Sequence, residues 1–512
     1  MDKKPKKELR NFFWNEFIYY CEDMLDFIKY RRLMKIHDLS EGLPELSHIT
    51  RRIKLILNMA DRAIQMLSKM KRENYEGESL DKDYHVHFDD LVKRILTGYN
   101  DVTVVLSQEI SGQRVLKCSP EQMEKHDELA RVLRVPTQAV EVFRWFMEEC
   151  LGLLYGHDFS WELSIPKPIP VALYSDYTYL SASKAICAPP NDVMNLCRWS
   201  TVSHELMHSK VDDILSSYYN LGYGLAKNDS ELVKNTQNML DRLVLDPTET
   251  YYRFIDLRDL FGTILKFKAS EVYRQIYSVL LEDDYYMPKH FLNMQFQELL
   301  CDVACTRISG PAELIVRGYT DADLCRNPEL DVFCHLHDLV HPPSSVRVMY
   351  EFELIKSPAM NINGEIIRAI EKQLSGIVGI DIFDREKSSA ENLSRYLVKI
   401  YFDAVKDLLP DITKLVDRLV AEPLMFDQNR WDKIVDSYET LVETKTLTGN
   451  SLRPFDLTNM AWLRVLDIFD ETVGRGGSYD HFKKNRKMET DFFSALWKIA
   501  YTRGKSRIHS LQ

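Results

Sequence analysis

The sequence has no apolar run of about 18 residues, so no segment reads as a membrane-spanning helix. Positive charge is in deficit: 66 Lys and Arg stand against 77 Asp and Glu, a net charge of −11. A nucleic-acid binder that neutralises phosphates needs the opposite balance. The nine cysteines are odd in number and scattered, without a CxxC pair. That argues against a disulfide framework and predicts reduced thiols in a cytosol. Glycine-rich phosphate loops, internal repeats, low-complexity tracts and convincing nucleophilic Ser or Cys motifs are also missing. MDKKPKKELR at the start is basic, as in a signal peptide, but Asn15, Glu16, Glu22 and Asp23 interrupt the next stretch and leave no clean apolar segment. What remains is an ordinary soluble composition, 45% hydrophobic and 28% charged, in a chain long enough for roughly two to four domains.

Glycine and proline are absent between Asn191 and Asn220, and that gap holds TVSHELMHSK at 201–210. On a helix, His204 and His208 share a face about one turn apart. Their imidazoles can meet one zinc ion, and Glu205 beside them can take a proton from its water. Asn191 or Asp192, after Pro189-Pro190, is the expected N-cap. Leu206 and Met207 suit a buried helix, whereas Lys210 predicts that it meets solvent early. A catalytic zinc needs a third protein ligand. The extended HExxHxxGxxH layout fails, because Val211 and Ile214 stand where Gly and His belong. Asp212 and Asp213 would need a sharp bend. Glu298 is the better candidate, in QELLCDVA at 297–304. Asp302, four residues on, shares its helix face and can accept the N–H of a ligating histidine. The third motif is HPPSSVR at 341–347, in which His341 and Arg347 can supply donors to an oxyanion. Ordinary helix histidines and solvated acidic pairs are the competing readings.

In this order, HExxH, ExxxD and HPPxxxR resemble the gluzincin metallopeptidases. They are most similar to the family of the CAAX prenyl protease and the bacterial membrane protease HtpX. The resemblance covers roughly residues 165–350. It implies Glu298 as third ligand, Asp302 as the aspartate that orients a histidine, and His341 and Arg347 as transition-state stabilisers. Those relatives are largely membrane-embedded, and this chain has a long polar insert between His208 and Glu298. The catalytic constellation is therefore expected here, but not a prenylated or membrane substrate.

Elsewhere the periodicity is mostly helical. Phe13, Phe17, Tyr20, Met24 and Ile28 fall on one face, as do Ile53, Ile56, Ala60, Ala63, Leu67 and Met70. Lys71–Asp83 reads as a loop. Asp101–Cys118 is ambiguous, since Val102–Val105 is β-branched and Gly112 can turn a hairpin. His85 and His87 lack a third ligand and read as structural. Ile165–Pro170 is extended; Val171–Tyr174 and Ala185–Ala188 read as strands, beside the HExxH helix and able to pair with a peptide. From about 360, Leu393, Leu397, Ile400, Ala404 and Leu408 keep helical spacing up to Pro410, and Ile412, Leu415, Val416 and Leu419 resume it. Asp384–Glu391 and Lys445–Phe455 read as loops, Gly474–Gly477 as a turn, and the cluster Lys483, Lys484, Arg486 and Lys487 as a solvated face.

The expectation is a mainly α protein with a small β-sheet. A helical region at 1–155 precedes a zincin-like metallopeptidase core at 156–360, with a helical insert at 215–290, and a helical region at 361–512 follows. The expected activity is zinc-dependent hydrolysis of a protein or peptide in the cytoplasm, with one Zn2+ per chain, no nucleic acid and a regulatory protein partner on the helical flanks. A catalytically silent zinc-binding scaffold and a zinc hydrolase of a non-peptide amide are the alternatives. Retention of Glu205 speaks against the scaffold.

Overall fold

The computed structural model describes residues 11–41, 43, 46–76, 82–113, 120–133, three strands within 169–187, 195–208, 287–338, 340–374, most of 395–419, 425–446 and 452–511. These are mostly helical. Phe13, Phe17, Met24 and Ile28 are buried along one side of α1 (Phe12–Asp26) and the π-helical turns that continue it to Leu33. Then come α2 (Met34–Glu41), α3 (Ser47–Glu76), α4 (Lys82–Gln113) and α5 (Pro120–Leu133). The whole stripe Ile53, Ile56, Ala60, Ala63, Leu67 and Met70 of α3 is buried.

Two expectations change here. The loop expected at Lys71–Asp83 is shorter, since α3 runs on to Glu76 and α4 starts at Lys82. Lys71 finds partners on the helix, 3.2 Å from Asp480 and over the Tyr479 ring at 4.0 Å. The ambiguous stretch from Asp101 is helix up to Gln113, not hairpin. Ile95, Tyr99, Val102 and Leu106 are buried at helical spacing against α3, which outweighs the weak strand preference of β-branched residues. Gly98 permits the close approach, because a Cβ there would lie 3.0 Å from Ile56.

Three short strands pair in the order β1 (Ile169–Val171), β3 (Ala185–Cys187), β2 (Thr178–Leu180), with β1 parallel and β2 antiparallel to β3. Pro170 is tolerated because β1 is an edge. Sequence reading started the first strand two residues later and missed β2.

After the helix at 200–208 (α6) the chain is described again from α7 (Met287–Ser309), so the insert at 215–290 lies almost wholly outside the described residues. Then follow α8 (Pro311–Thr320), α9 (Ala322–Arg326), α10 (Pro328–Asp338), α11 (Ser344–Lys356), α12 (Gly364–Leu374), α13 (Leu409–Leu419), α14 (Gln428–Thr444), α15 (Pro454–Gly474), α16 (Tyr479–Met488) and α17 (Thr490–Leu511). Pro410 sits in the first turn of α13, where its missing N–H costs nothing. Pro454 and Phe455, expected in a loop, begin α15. The turn after Gly474 uses Gly476 at φ +62°. The basic cluster on α16 is not simply solvated: Lys483 donates to Glu22 at 2.5 Å and Arg486 is tucked over Phe493, leaving Lys484 and Lys487 in solvent.

One apolar cluster joins Phe12 and Phe13 of α1, Trp199 before α6, Val303 of α7, Val316 of α8, Trp462 of α15 and Leu496 of α17. The first and last helices thus share a core with the middle of the chain. Gly318 lets α8 meet α1, since a Cβ there would lie 2.6 Å from the Phe13 ring. Among the described residues no helix is long and apolar enough to cross a membrane. Among the cysteines whose side chains are described, Cys21, Cys197, Cys301, Cys305, Cys325 and Cys334 are free thiols.

Candidate metal centre

The helix that carries His204 and His208 is fixed before it starts. Asn195 accepts from Cys197 N at 3.1 Å and caps a 3-10 turn, Leu196–Arg198, ahead of α6. It takes the place expected of Asn191 or Asp192, which lie outside the described residues. Trp462 Nε1 donates to Cys197 O at 2.9 Å. The buried Arg198 donates to Thr320 Oγ1 at 2.6 Å and Tyr319 OH at 3.2 Å, and lies over the Tyr20 ring at 4.5 Å. Val202, Leu206 and Met207 are buried. Small polar groups bring α6 and α7 together: Ser203 Oγ lies 2.7 Å from Cys305 Sγ, which donates to Ser200 O at 3.2 Å.

This approach gathers the expected donors. His204 Nε2 and His208 Nε2 are 3.1 Å apart. Glu298 Oε2 lies 3.2 Å from the first and Glu298 Oε1 3.2 Å from the second. Ligands about 2.0–2.1 Å from a tetrahedral zinc would be about 3.3 Å from one another. A second set, His204, Glu205 and His208, has ligand atoms within 4.8 Å of one another. Glu298 lies closer to the two histidines than that limit, so both glutamates stand within reach of a metal ion that the histidines could hold.

Asp302 stands behind His204, with Oδ1 3.0 Å from Nδ1, a close contact not aligned as a hydrogen bond. Arg347, expected at an oxyanion, turns to the carboxylates. Its Nε donates to Asp302 Oδ2 at 2.7 Å, and its Nη2 donates to Asp302 Oδ1 at 2.7 Å and Glu298 Oε2 at 3.0 Å. The physical reason is burial: a desolvated guanidinium and two desolvated carboxylates are each costly alone. Burial by itself would raise both carboxyl pKa values. The Arg347 charge beside Glu298, and Arg317 and Arg347 beside Asp302, more than reverse this and hold both well below the usual carboxylate range. For the imidazoles burial opposes protonation. Contacts with Asp302 and Glu298 for His204, and with Cys301 and Glu298 for His208, outweigh it and raise both pKa values. Two imidazoles and an ionised carboxylate are donor types that a dication takes, and it would displace the protons that the raised pKa values leave on the imidazoles.

His341 is 46% exposed, with Nε2 3.5 Å from Glu298 Oε1. Its backbone oxygen accepts from His335 Nδ1 at 2.7 Å, and the His335 ring packs edge-on to Tyr401, which donates to Gln295 at 2.6 Å. His335 thus supports the His341 turn, while Asp331 accepts from Ser344 N at 2.7 Å and Ser345 N at 3.0 Å at the start of α11. Burial pushes the Asp331 carboxyl up to about 6.

Sequence reasoning missed Cys301 and Arg317. Cys301 Sγ lies 3.5 Å from His208 Nδ1, so His204 and His208 are backed by adjacent residues of α7, Asp302 and Cys301. Burial pushes the Cys301 thiol up to about 11, so it stays protonated at neutral pH. Its place immediately before Asp302 was the only signal. Arg317 donates to Asp302 from α8, and only its spacing of four from Glu313 hinted at an ion pair. His87 is exposed on α4, and the side chain of His85 lies outside the described residues. Asp212, Asp213 and Lys210 lie outside the described residues. A scan against protein-family models, a search of curated proteins and a search of solved structures each gave no match.

Proposed function

We propose that this chain is a zinc-dependent peptidase of gluzincin type, similar to the CAAX prenyl protease and HtpX family in its site but not in its substrate. The observation that carries the reading is the meeting of His204 Nε2, His208 Nε2 and the Glu298 carboxylate: the two nitrogens lie 3.1 Å apart, and each has its own Glu298 oxygen at 3.2 Å, Oε2 for His204 and Oε1 for His208. A zinc ion held there would supply a Lewis acid and lower the pKa of a water. Glu205, partly exposed beside the two histidines, takes a proton from the attacking water and passes it to the leaving amine. His341, half-exposed at the same edge, donates to the oxyanion. Arg347 holds Glu298 and Asp302 in place. The small sheet belongs in this reading to a zincin-like core, where an edge strand pairs with an extended protein or peptide substrate. A reducing, cytoplasmic setting fits the free thiols, and the helical flanks are the surface for a regulatory partner.

A zinc-holding scaffold without turnover is the second reading. It is favoured by the commitment of Arg347 to two carboxylates. Zinc analysis combined with cleavage of a peptide library by wild type, Glu205→Gln and His341→Ala separates the two. The peptidase reading expects about one zinc per chain in all three and loss of about 10²–10⁴-fold in rate for Glu205→Gln. For His341→Ala it expects a fall of about 10²–10³-fold in kcat. Wild-type rates in Glu205→Gln at equal zinc would remove Glu205 as base. Hydrolysis of small amides but no peptide would point to the non-peptide alternative.

A further inference from the structure

Arg317 lies outside every motif that marks the site, yet its guanidinium reaches three buried carboxylates on three helices. Nη2 donates to Asp302 Oδ1 on α7 at 2.6 Å and to Glu313 Oε1 on α8 at 3.2 Å. Nε donates to Glu351 Oε1 on α11 at 2.5 Å. Asp302, Glu313 and Glu351 are each buried to 1% exposure or less, so water does not replace these bonds. The Asp302 oxygen that Arg317 grips is the same one that lies 3.0 Å from His204 Nδ1. The next residues of α8 reach the other side of the site. Tyr319 OH and Thr320 Oγ1 accept from Arg198, in the turn that leads into the helix of His204. The last turn of α8 therefore touches both the carboxylate behind His204 and the entry to the helix that carries it.

We propose that Arg317 is a positioning residue of the metal site. It fixes Asp302 Oδ1, and through it the His204 ring, so that Nε2 faces His208 and Glu298. The inference rests on reading those three residues as metal ligands. It also predicts which replacements fail. Lysine keeps the charge, but its single ammonium cannot reproduce the planar fork that spans Asp302 and Glu351. Methionine keeps only the stem.

The test measures zinc affinity by chelator competition, the absorption spectrum of the cobalt(II)-loaded protein, and thermal unfolding. It uses full-length wild type, Arg317→Lys, Arg317→Met and, as a control for lost stability, Arg430→Met. Arg430 pairs with the buried Asp456 at 2.6 Å and has no part in the site. Arg317→Lys is expected to bind zinc about 10–100-fold more weakly, with an altered cobalt spectrum. Arg430→Met is expected to lose stability and keep both affinity and spectrum. Should Arg317→Met fail to fold, Arg317→Lys alone decides. Zinc bound equally by wild type and Arg317→Lys, with the same cobalt spectrum, overturns the positioning role and leaves the metal reading standing. No zinc in wild type overturns the metal reading and this proposal with it.

Discussion

In the proposed peptidase, two glutamates on neighbouring helices take different roles, Glu298 as ligand and Glu205 as base. Glu298 is 5% exposed and lies between two imidazoles and a guanidinium, whereas Glu205 is partly buried. Glu298→Ala is therefore expected to lose zinc, and undiminished affinity in a metal titration would remove it from the ligand set. Arg347→Ala carries a prediction that its motif did not suggest. A pure oxyanion donor would lower kcat and leave metal content alone. A guanidinium bonded to Glu298 and Asp302 should instead weaken zinc binding, by on the order of 10–100-fold, because both carboxylates lose their partner. Unchanged zinc affinity with reduced kcat would restore the oxyanion role. The donors were legible in the sequence because their spacing is local: four between the histidines, four between Glu298 and Asp302. Arg317 and Cys301 were not, because what they touch is decided by how α6, α7, α8 and α11 pack, and no residue spacing encodes that.

At the scale of elements, helix faces were legible and helix ends were not. The stripe of α3 is buried as its period predicts, since one face of a long amphipathic helix has only one way to leave water. The β-branched run in α4 misled because strand preference is settled by neighbours, and its neighbour is a helix. The start of α6 misled because Asn195 caps a 3-10 turn close to the helix and displaces the more distant candidates. Element α8 carries the prediction at this scale. Gly318→Ala puts a Cβ 2.6 Å from Phe13, which is buried to 1% and cannot swing into solvent. Denaturant unfolding should show a loss of about 1–3 kcal/mol, the usual cost of overpacking. Because Arg317 precedes Gly318, zinc affinity should fall as well. A stability loss with zinc affinity intact would mean that α1 and the site are packed together without being coupled.

Across the whole molecule, ends of the chain far apart in sequence meet at one buried charge pair. Glu16 of α1 is 3% exposed, and Arg486 Nε of α16 lies 3.8 Å from its Oε1. Arg486 Nη2 donates to the thiol of Cys197, at the entry to α6. The first helix, the turn that leads into the helix of His204 and His208, and the C-terminal helices therefore converge on a single guanidinium. No pattern within one segment could reveal this, which is why the basic cluster around Arg486 read as a solvated face. Burial raises the Glu16 carboxyl from 4.5 to about 7, and Arg486 offsets that only in part. In the unfolded chain the same group ionises near 4.5, so the unfolded state gives up its proton first. The contribution of protonated Glu16 is fully present below about pH 4.5 and is lost as pH rises through about 7, on the order of 3 kcal/mol in all. Glu16→Gln removes the titration and keeps the volume, and Oε1 has no hydrogen-bond partner to lose among the described residues. The variant is expected to match wild type near pH 4.5 and to exceed it in unfolding free energy by a growing margin up to about pH 7, with no further change above. Other carboxylates titrate in the same window in both proteins, so the difference between the two curves is the quantity to measure. A difference that stays flat from pH 4.5 to 8 would show that Glu16 is ionised throughout and that Arg486 neutralises it fully.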